Sequence, residues 1–351
     1  MSLEPFSLQA SVALVEGELT EALLHIGADG RFAEGATEGS RTIVVDDGTL
    51  ILPGFVDLHV NFFPRLLGAR PGVAVPAAAA ATAYEAVLMA SGVTTAFHLL
   101  PVHRWAQEER AMSRTLEMFE QFNGMAQRSS IDLFANIALE VLDPEAVGFF
   151  FELAIPKGSV VSLTEHVPDH REFRARPHAL SDRLRGDGVP QENIDQLISA
   201  RRQALSTTAA PSKEAVAHHC LRLGIPVFSH DDEFEEDVSF AVSRLGVVVS
   251  EFPLTESAAA AAARHGVDVV VGAPNVLRGA SHVGNVSARS LIEQNYATIL
   301  SGDYLPHTIL PAISHDLSPK FPPVFWRVLE LMFGLMRPAF PVPVLWRTRR
   351  A

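Results

Sequence analysis

The sequence predicts an α/β fold, a (β/α)8 TIM barrel with a small N-terminal β-layer. Eight short apolar strand candidates follow Gly54, and segments of helical period lie between most of them. An open doubly wound sheet would usually have fewer strands, with a glycine-rich phosphate turn after the first one, and no G-x-G-x-x-G is present. Before Gly54 the pattern is different: short alternating runs are broken by Gly and Asp turns.

In chain order, the β-layer is read from "ASVALVEG", "EALLHIGADGRFAEG" and "TIVVDDGTLILPG", which places a small β domain, half of a β-sandwich, over residues 1–53. The barrel is expected over residues 54–315. Its strands are 55–59, 93–100, 131–141, 160–166, 225–230, 247–252, 267–273 and 296–303. Several of these are continuously apolar, as strands of a parallel sheet covered on both faces should be. "SRTLEMFEQFNGMAQRSS", "PSKEAVAHHCLRLG" and "EEDVSFAVSRLG" are among the crossover helices. "PAAAAATAYEAVLMASG" is alanine-rich but interrupted by Tyr84 and Glu85, so it reads as a buried helix and not a membrane span. Residues 316–351 form an atypical tail rich in Pro, Trp and Arg.

Composition narrows the function. The 351 residues are 48% hydrophobic and 20% charged, a globular balance with no sign of disorder. A formal net charge of -13 argues against nucleic acid as the partner, although a local arginine or metal can still reverse the field for an anionic substrate. The single cysteine, Cys220, excludes an internal disulfide and a cysteine metal cluster, which suits a reducing cytoplasm. The N-terminus has early acids and no basic segment ahead of a long apolar one, so no signal peptide and no membrane association are expected.

His59, Glu140, His166, His230 and Asp303 each stand at or just past the C-terminal end of a strand candidate. In a barrel those ends share one face, where active sites are built. Any one of these residues is explained as a hydrogen-bonded or helix-capping residue, but five of them on one rim point to a divalent metal. Zinc fits first and manganese or iron also suit the set, with two ions if a carboxylate bridges. Asp303 is the candidate general base, a carboxylate placed to take the proton of a water made acidic by a neighbouring metal, with a turn aspartate as the bland reading. Asp231 and Asp232 either orient His230 or begin the next helix. His98 and His103 flank the second strand without an assigned role.

A second constellation is "VVGAPNVLRGASHVGNVSA", residues 270–288. Asn275, Arg278, Gly279, Ser281, His282 and Asn285 crowd donors into one segment that suits a phosphate better than a neutral amide. His170, Arg171, Arg174 and Arg176 make a second cationic patch, which either holds another phosphate or is a solvated loop.

"PGFVDLH" resembles the first-strand signature of the amidohydrolase superfamily, metal-dependent hydrolases on a (β/α)8 barrel with a small flanking β-sandwich. "ASGVTT", "VSLTEHVPDHREF", "SHDD", "EFPLTESAAAAAARHG", "GAPNVLRGASHVGNVSA" and "LSGDYLP" resemble its branch in the carbon–phosphorus lyase pathway, the α-D-ribose 1-methylphosphonate 5-triphosphate diphosphatases. The likeness spans roughly residues 50–312. It implies metal ligands at His59, Glu140, His166, His230 and Asp303, with Glu140 replacing the carboxylated lysine that bridges two metals in much of the superfamily. The superfamily expects that group on the fourth strand, whereas the count here puts Glu140 on the third.

Two departures stand out. Asn61 occupies the slot where the superfamily usually has a second histidine and this branch tends to have an aspartate, so a neutral amide would hold its metal less tightly. The tail also lacks a "G-x-I-x-x-G-x-x-A-D-L-V" return to the β-layer, as a truncated or frameshifted reading frame or a divergent tail would. Apolar surface left by a half-built sandwich would favour aggregation or a homo-oligomer. The resemblance implies a phosphoanhydride hydrolase that releases pyrophosphate from a small phosphorylated substrate. The other readings are an amidohydrolase acting on a cyclic amide, lactone or ring amine, and a degraded paralogue that binds a phosphorylated ligand without turning it over.

Overall fold

The computed structural model describes residues 4–15, 18–68, 73, 75–103, 111–166, 178–186, 189–281, 284–316 and 343–347. His170, Arg171, Arg174, Arg176 and His282 lie outside the described residues.

The first layer is a six-stranded sheet in the order β14-β5-β1-β2-β3, with β4 also paired to β1. Strands β1 (Phe6–Val15) and β2 (Glu18–Ile26) are antiparallel, and β3 (Phe32–Ala33) extends β2. A register shift between Ala10 and Ala13 bends β1. One edge of β1 therefore serves two parallel partners, β4 (Arg41–Val44) along Phe6 to Gln9 and β5 (Thr49–Pro53) at Ala13. The tail does return to this sheet: β14 (Pro343–Arg347) runs antiparallel along β5, with Pro343 opposite Pro53 and Arg347 opposite Thr49. No return signature announces it because edge pairing uses backbone N–H and C=O groups, which every residue but proline carries.

The second layer is the barrel. Strands β6 (Phe55–Val60), β7 (Val93–Val102), β8 (Asp132–Glu140), β9 (Val160–Thr164), β10 (Val227–His230), β11 (Val249–Glu251), β12 (Asp268–Gly272) and β13 (Ile299–Ser301) lie parallel in sequence order. Each overlaps its sequence-predicted segment. The largest trimming is at β13, where Asp303 takes a positive φ of 50° and leaves the strand conformation. Glu140 does end the third barrel strand, as counted from the sequence.

Val60 bridges to Asp303 and closes the ring, helped by Asn61 N–H donating to the Asp303 carbonyl at 3.0 Å. Asp57 fastens the same seam from inside. Its Oδ1 accepts from Ser301 Oγ (2.7 Å) and from the His59 N–H (3.1 Å), and its Oδ2 accepts from the Gly302 N–H (2.9 Å). Burial pushes the Asp57 carboxyl up to about 6 against those hydrogen bonds. Two glycines are required by close approach. A Cβ at Gly54 would stand 2.2 Å from the Thr94 side chain, and one at Gly302 would stand 2.6 Å from Pro306 Cα.

Inside the barrel, Val56, Leu58, Phe97, Val160, Phe228, Val249, Val270 and Ile299 form an apolar plug. Outside it, crossover helices bury their apolar stripe. The alanine-rich helix Ala77–Ala90, for example, turns Ala80, Tyr84 and Leu88 inward at successive i+4 positions. Among the described residues no helix is long and apolar enough to cross a membrane.

Candidate active site at the barrel mouth

His59, Asn61, Glu140, His166, His230 and Asp303 all line one cavity of about 670 Å³ at the C-terminal ends of the strands. The barrel brings together all the expected metal-site residues, but it does not bring them into one cluster. Among the described residues, the group whose ligand atoms lie within 4.8 Å of one another is His59, His230 and Glu251. Sequence reading passed over Glu251, although it carried the same signal as the others: an acid at the end of the apolar run "VVVSEF".

Glu251 is fully buried, and both of its oxygens are occupied. Oε1 meets His59 Nδ1 at 3.0 Å and accepts from Asn136 Nδ2 at 3.1 Å, while Oε2 accepts from Ser162 Oγ at 2.6 Å. Asn136 also donates to the Leu58 carbonyl at 3.1 Å, so β8, β9 and β11 jointly hold His59 on β6. Burial opposes the Glu251 charge, but His59 beside it keeps the carboxyl below its ordinary value and is itself raised in return. With Nδ1 committed to a carboxylate, His59 presents Nε2 for coordination, the usual arrangement at a metal-bound histidine.

His230 is oriented in a similar way, its Nδ1 3.0 Å from Asp231 Oδ2. Phe252 packs its edge on both rings, 5.0 Å from His59 and 5.6 Å from His230 between centroids. Asp232 instead accepts from Ser229 and Ser250, both at 2.6 Å. The next helix begins later, with Asp237 Oδ2 accepting from the Phe234 N–H at 2.9 Å. Asp231 thus takes the orienting role left open by the sequence, and neither aspartate caps the helix. Asp231, Phe252 and Asp303 all have φ between 50° and 59°, a costly backbone for residues with a Cβ, and all three sit at the ends of β10, β11 and β13.

Burial raises the Asp303 carboxyl, with His59 and His230 opposing it. It does not cap the following turn, whose N-cap is Leu305. Nor does Glu140 cap the helix Pro144–Glu152, because Asp143 does so by accepting from the N–H groups of Glu145 and Ala146.

Glu140 stands in a separate clasp. Its Oε2 meets His166 Nδ1 at 2.7 Å and accepts from Arg201 Nη1 at 3.2 Å, and the same guanidinium nitrogen donates to the His166 carbonyl at 2.9 Å. Arg201 comes from the helix Gln191–Thr207 and is only 3% exposed. Burial alone would push Glu140 up, but Arg201 and then His166 hold it down to about 2.

The anion segment is more ordered than a loop. Residues Ala273–Arg278 form a short helix closed by Gly279 at φ 74°. Asn275 braces it, donating to the Val286 carbonyl (3.3 Å) and accepting from the Ala288 N–H (3.1 Å). The cavity wall is formed by Asn275, Arg278, Ser281 and Asn285, and Gly279 turns the chain between them. On another part of the wall, Arg65 lies over the Tyr304 ring at 5.0 Å from its centroid, a cation that the sequence reading did not single out.

The buried imidazole of His59 and the half-buried one of His230, beside the Asp303 carboxylate, are a donor set that fits a divalent metal such as zinc or manganese.

No family model matches the chain. Over 290 residues it is 30% identical to the α-D-ribose 1-methylphosphonate 5-triphosphate diphosphatase of Escherichia coli (strain K12), covering 78% of this chain and 74% of that protein. The chain belongs to that family. The fold agrees with the (β/α)8 barrel expected from the sequence. A dihydroorotase crystal structure superposes with a TM-score of 0.54 at 15% identity, covering 95% of this chain and 82% of the other. The guanine deaminase of C. acetobutylicum, solved with guanine in its active site, gives 0.52 at 11% identity over 97% and 82%. At these identities the two structures speak for the barrel alone.

Proposed function

We propose that this chain is a metal-dependent diphosphatase that hydrolyses a phosphoanhydride of a ribose 1-phosphonate 5-triphosphate and releases pyrophosphate. The observation that carries this is the shared cavity, in which His59, His230 and Asp303 face the same space as Arg278, Ser281 and Asn285. The family relationship supports the same substrate class.

A divalent metal held by His59, His230 and Asp303 would supply charge stabilisation on the phosphoryl oxygens and an acidified water. Asp303 takes the proton of the attacking water, a new P–O bond forms, the anhydride bond breaks and pyrophosphate leaves. Arg278 binds the phosphate chain with charge-assisted donors and does not react. Arg65, on the cavity wall beside Tyr304, adds a second positive charge in a protein of net charge -13.

The test is turnover of α-D-ribose 1-methylphosphonate 5-triphosphate by the zinc- or manganese-loaded chain, followed by pyrophosphate release. Stoichiometric pyrophosphate is the expected result. Hydrolysis of a cyclic amide or lactone without any pyrophosphate would overturn the proposal, as would inertness toward the triphosphate with metal in excess.

A further inference from the structure

We infer that the mouth holds one divalent metal rather than a bridged pair, because Arg201 withholds Glu140 from metal and makes it a positioning residue for His166. The inference deepens the metal reading proposed above and rests on it.

A two-metal site needs a carboxylate that can reach both ions, which sit about 3.5–4 Å apart. Apart from Asp303 and Asp231, which stand with His59 and His230, two carboxylates among the described residues end strands on this rim, and both are engaged. Glu251 spends Oε1 on His59 Nδ1 and Asn136, and Oε2 on Ser162. Glu140 Oε2 lies between His166 Nδ1 and the Arg201 guanidinium, 2.7 Å and 3.2 Å away. Arg201 is almost wholly buried, is carried by a helix outside the barrel and also binds the His166 carbonyl at 2.9 Å. Such a fixed, always-protonated cation on a carboxylate opposes the approach of a divalent ion to that carboxylate.

The placement of the groups agrees. Among the described residues the close group contains His59, His230 and Glu251. Asp303, outside that group, interacts electrostatically with His59 and His230, whereas Glu140 does so with Arg201 and His166. Asn61, two residues past His59 and on the same cavity, contributes only a neutral amide. His166 lines the same cavity and meets the triphosphate instead of the metal, its ring held by Glu140 Oε2 and its backbone by Arg201.

The experiment is metal analysis of the full chain after loading with Mn(II), with electron paramagnetic resonance on the same sample. About one equivalent of Mn(II) with the hyperfine pattern of an isolated ion is expected, without the exchange-coupled spectrum of a bridged pair. Glu140→Gln and His166→Gln should keep that equivalent and its affinity, whereas Glu251→Gln should weaken metal binding about 10–100-fold through His59. His166→Gln should raise KM more than it lowers kcat. If Glu140→Gln does not fold, Arg201→Lys is read instead, and the unmutated chain alone still decides the count. About two equivalents with a coupled spectrum would overturn the inference, as would the loss of one ion in Glu140→Gln. Absence of any bound metal would overturn it together with the metal reading, while a coupled pair would leave that reading standing.

Discussion

The two walls of the barrel mouth use the same residue types for different ends. On one wall His59, His230 and Asp303 stand at the ends of β6, β10 and β13, with Glu251 of β11 behind His59 and Asp231 beside His230. On the other, Glu140 and His166 at the ends of β8 and β9 are clasped by Arg201. An imidazole facing carboxylates alone is suited to a cation. A carboxylate already facing a guanidinium is electrostatically spent, and it can orient a neighbour but has little left for a divalent ion. Position at a strand end therefore does not by itself assign a role; the next charge along does.

The largest test of this contrast is Asp303→Asn. Steady-state assays should show kcat falling about 10²–10⁴-fold, with little change in thermal stability. A loss below tenfold would remove Asp303 as the base.

The opposite wall should respond in stability. Arg201→Met leaves a buried carboxylate without its cation and should cost about 3–5 kcal/mol, read from the urea midpoint. Its acid sensitivity should change as well. In the metal-free protein Glu140 lies at about 2, below its ordinary value of 4.5, so its contribution is complete above about 4.5 and is lost as pH falls toward 2. Losing Arg201, the strongest of the groups that hold Glu140 down, should flatten the stability–pH curve in that window. An unchanged curve would mean that Arg201 does not hold Glu140 down.

The smallest effect is expected at Asn61, whose side chain lines the cavity while its N–H is tied to the Asp303 carbonyl. Asn61→Asp should tighten metal binding on the order of tenfold, through added ligand charge, and raise activity at limiting metal. If neither rises, Asn61 is not a weakened ligand.

The barrel was legible because its signals are local. A buried parallel strand has to be apolar along its length, crossover helices must show their own period, and a polar residue that ends an apolar run stands out. That logic located His59, Glu140, His166, His230 and Asp303 on one cavity. It read Asn61 as a departure, and it placed Arg278 in a segment that lines the same space. It missed Glu251 only because the rule was not applied to "VVVSEF".

The division of the site into two walls has no local signal. Arg201 lies 61 residues beyond Glu140 on a helix that looks ordinary, and Glu251 lies 192 beyond His59. Nor does the tail carry any motif for the strand that it adds to β5. The sequence by itself determined which strands form, which ends of them are polar and which face they share, since hydrophobic period and turn chemistry depend on near neighbours. Only the tertiary structure decided which charge meets which, because in a buried site the energy of a carboxylate depends on groups a few ångströms away in space, wherever they lie along the chain.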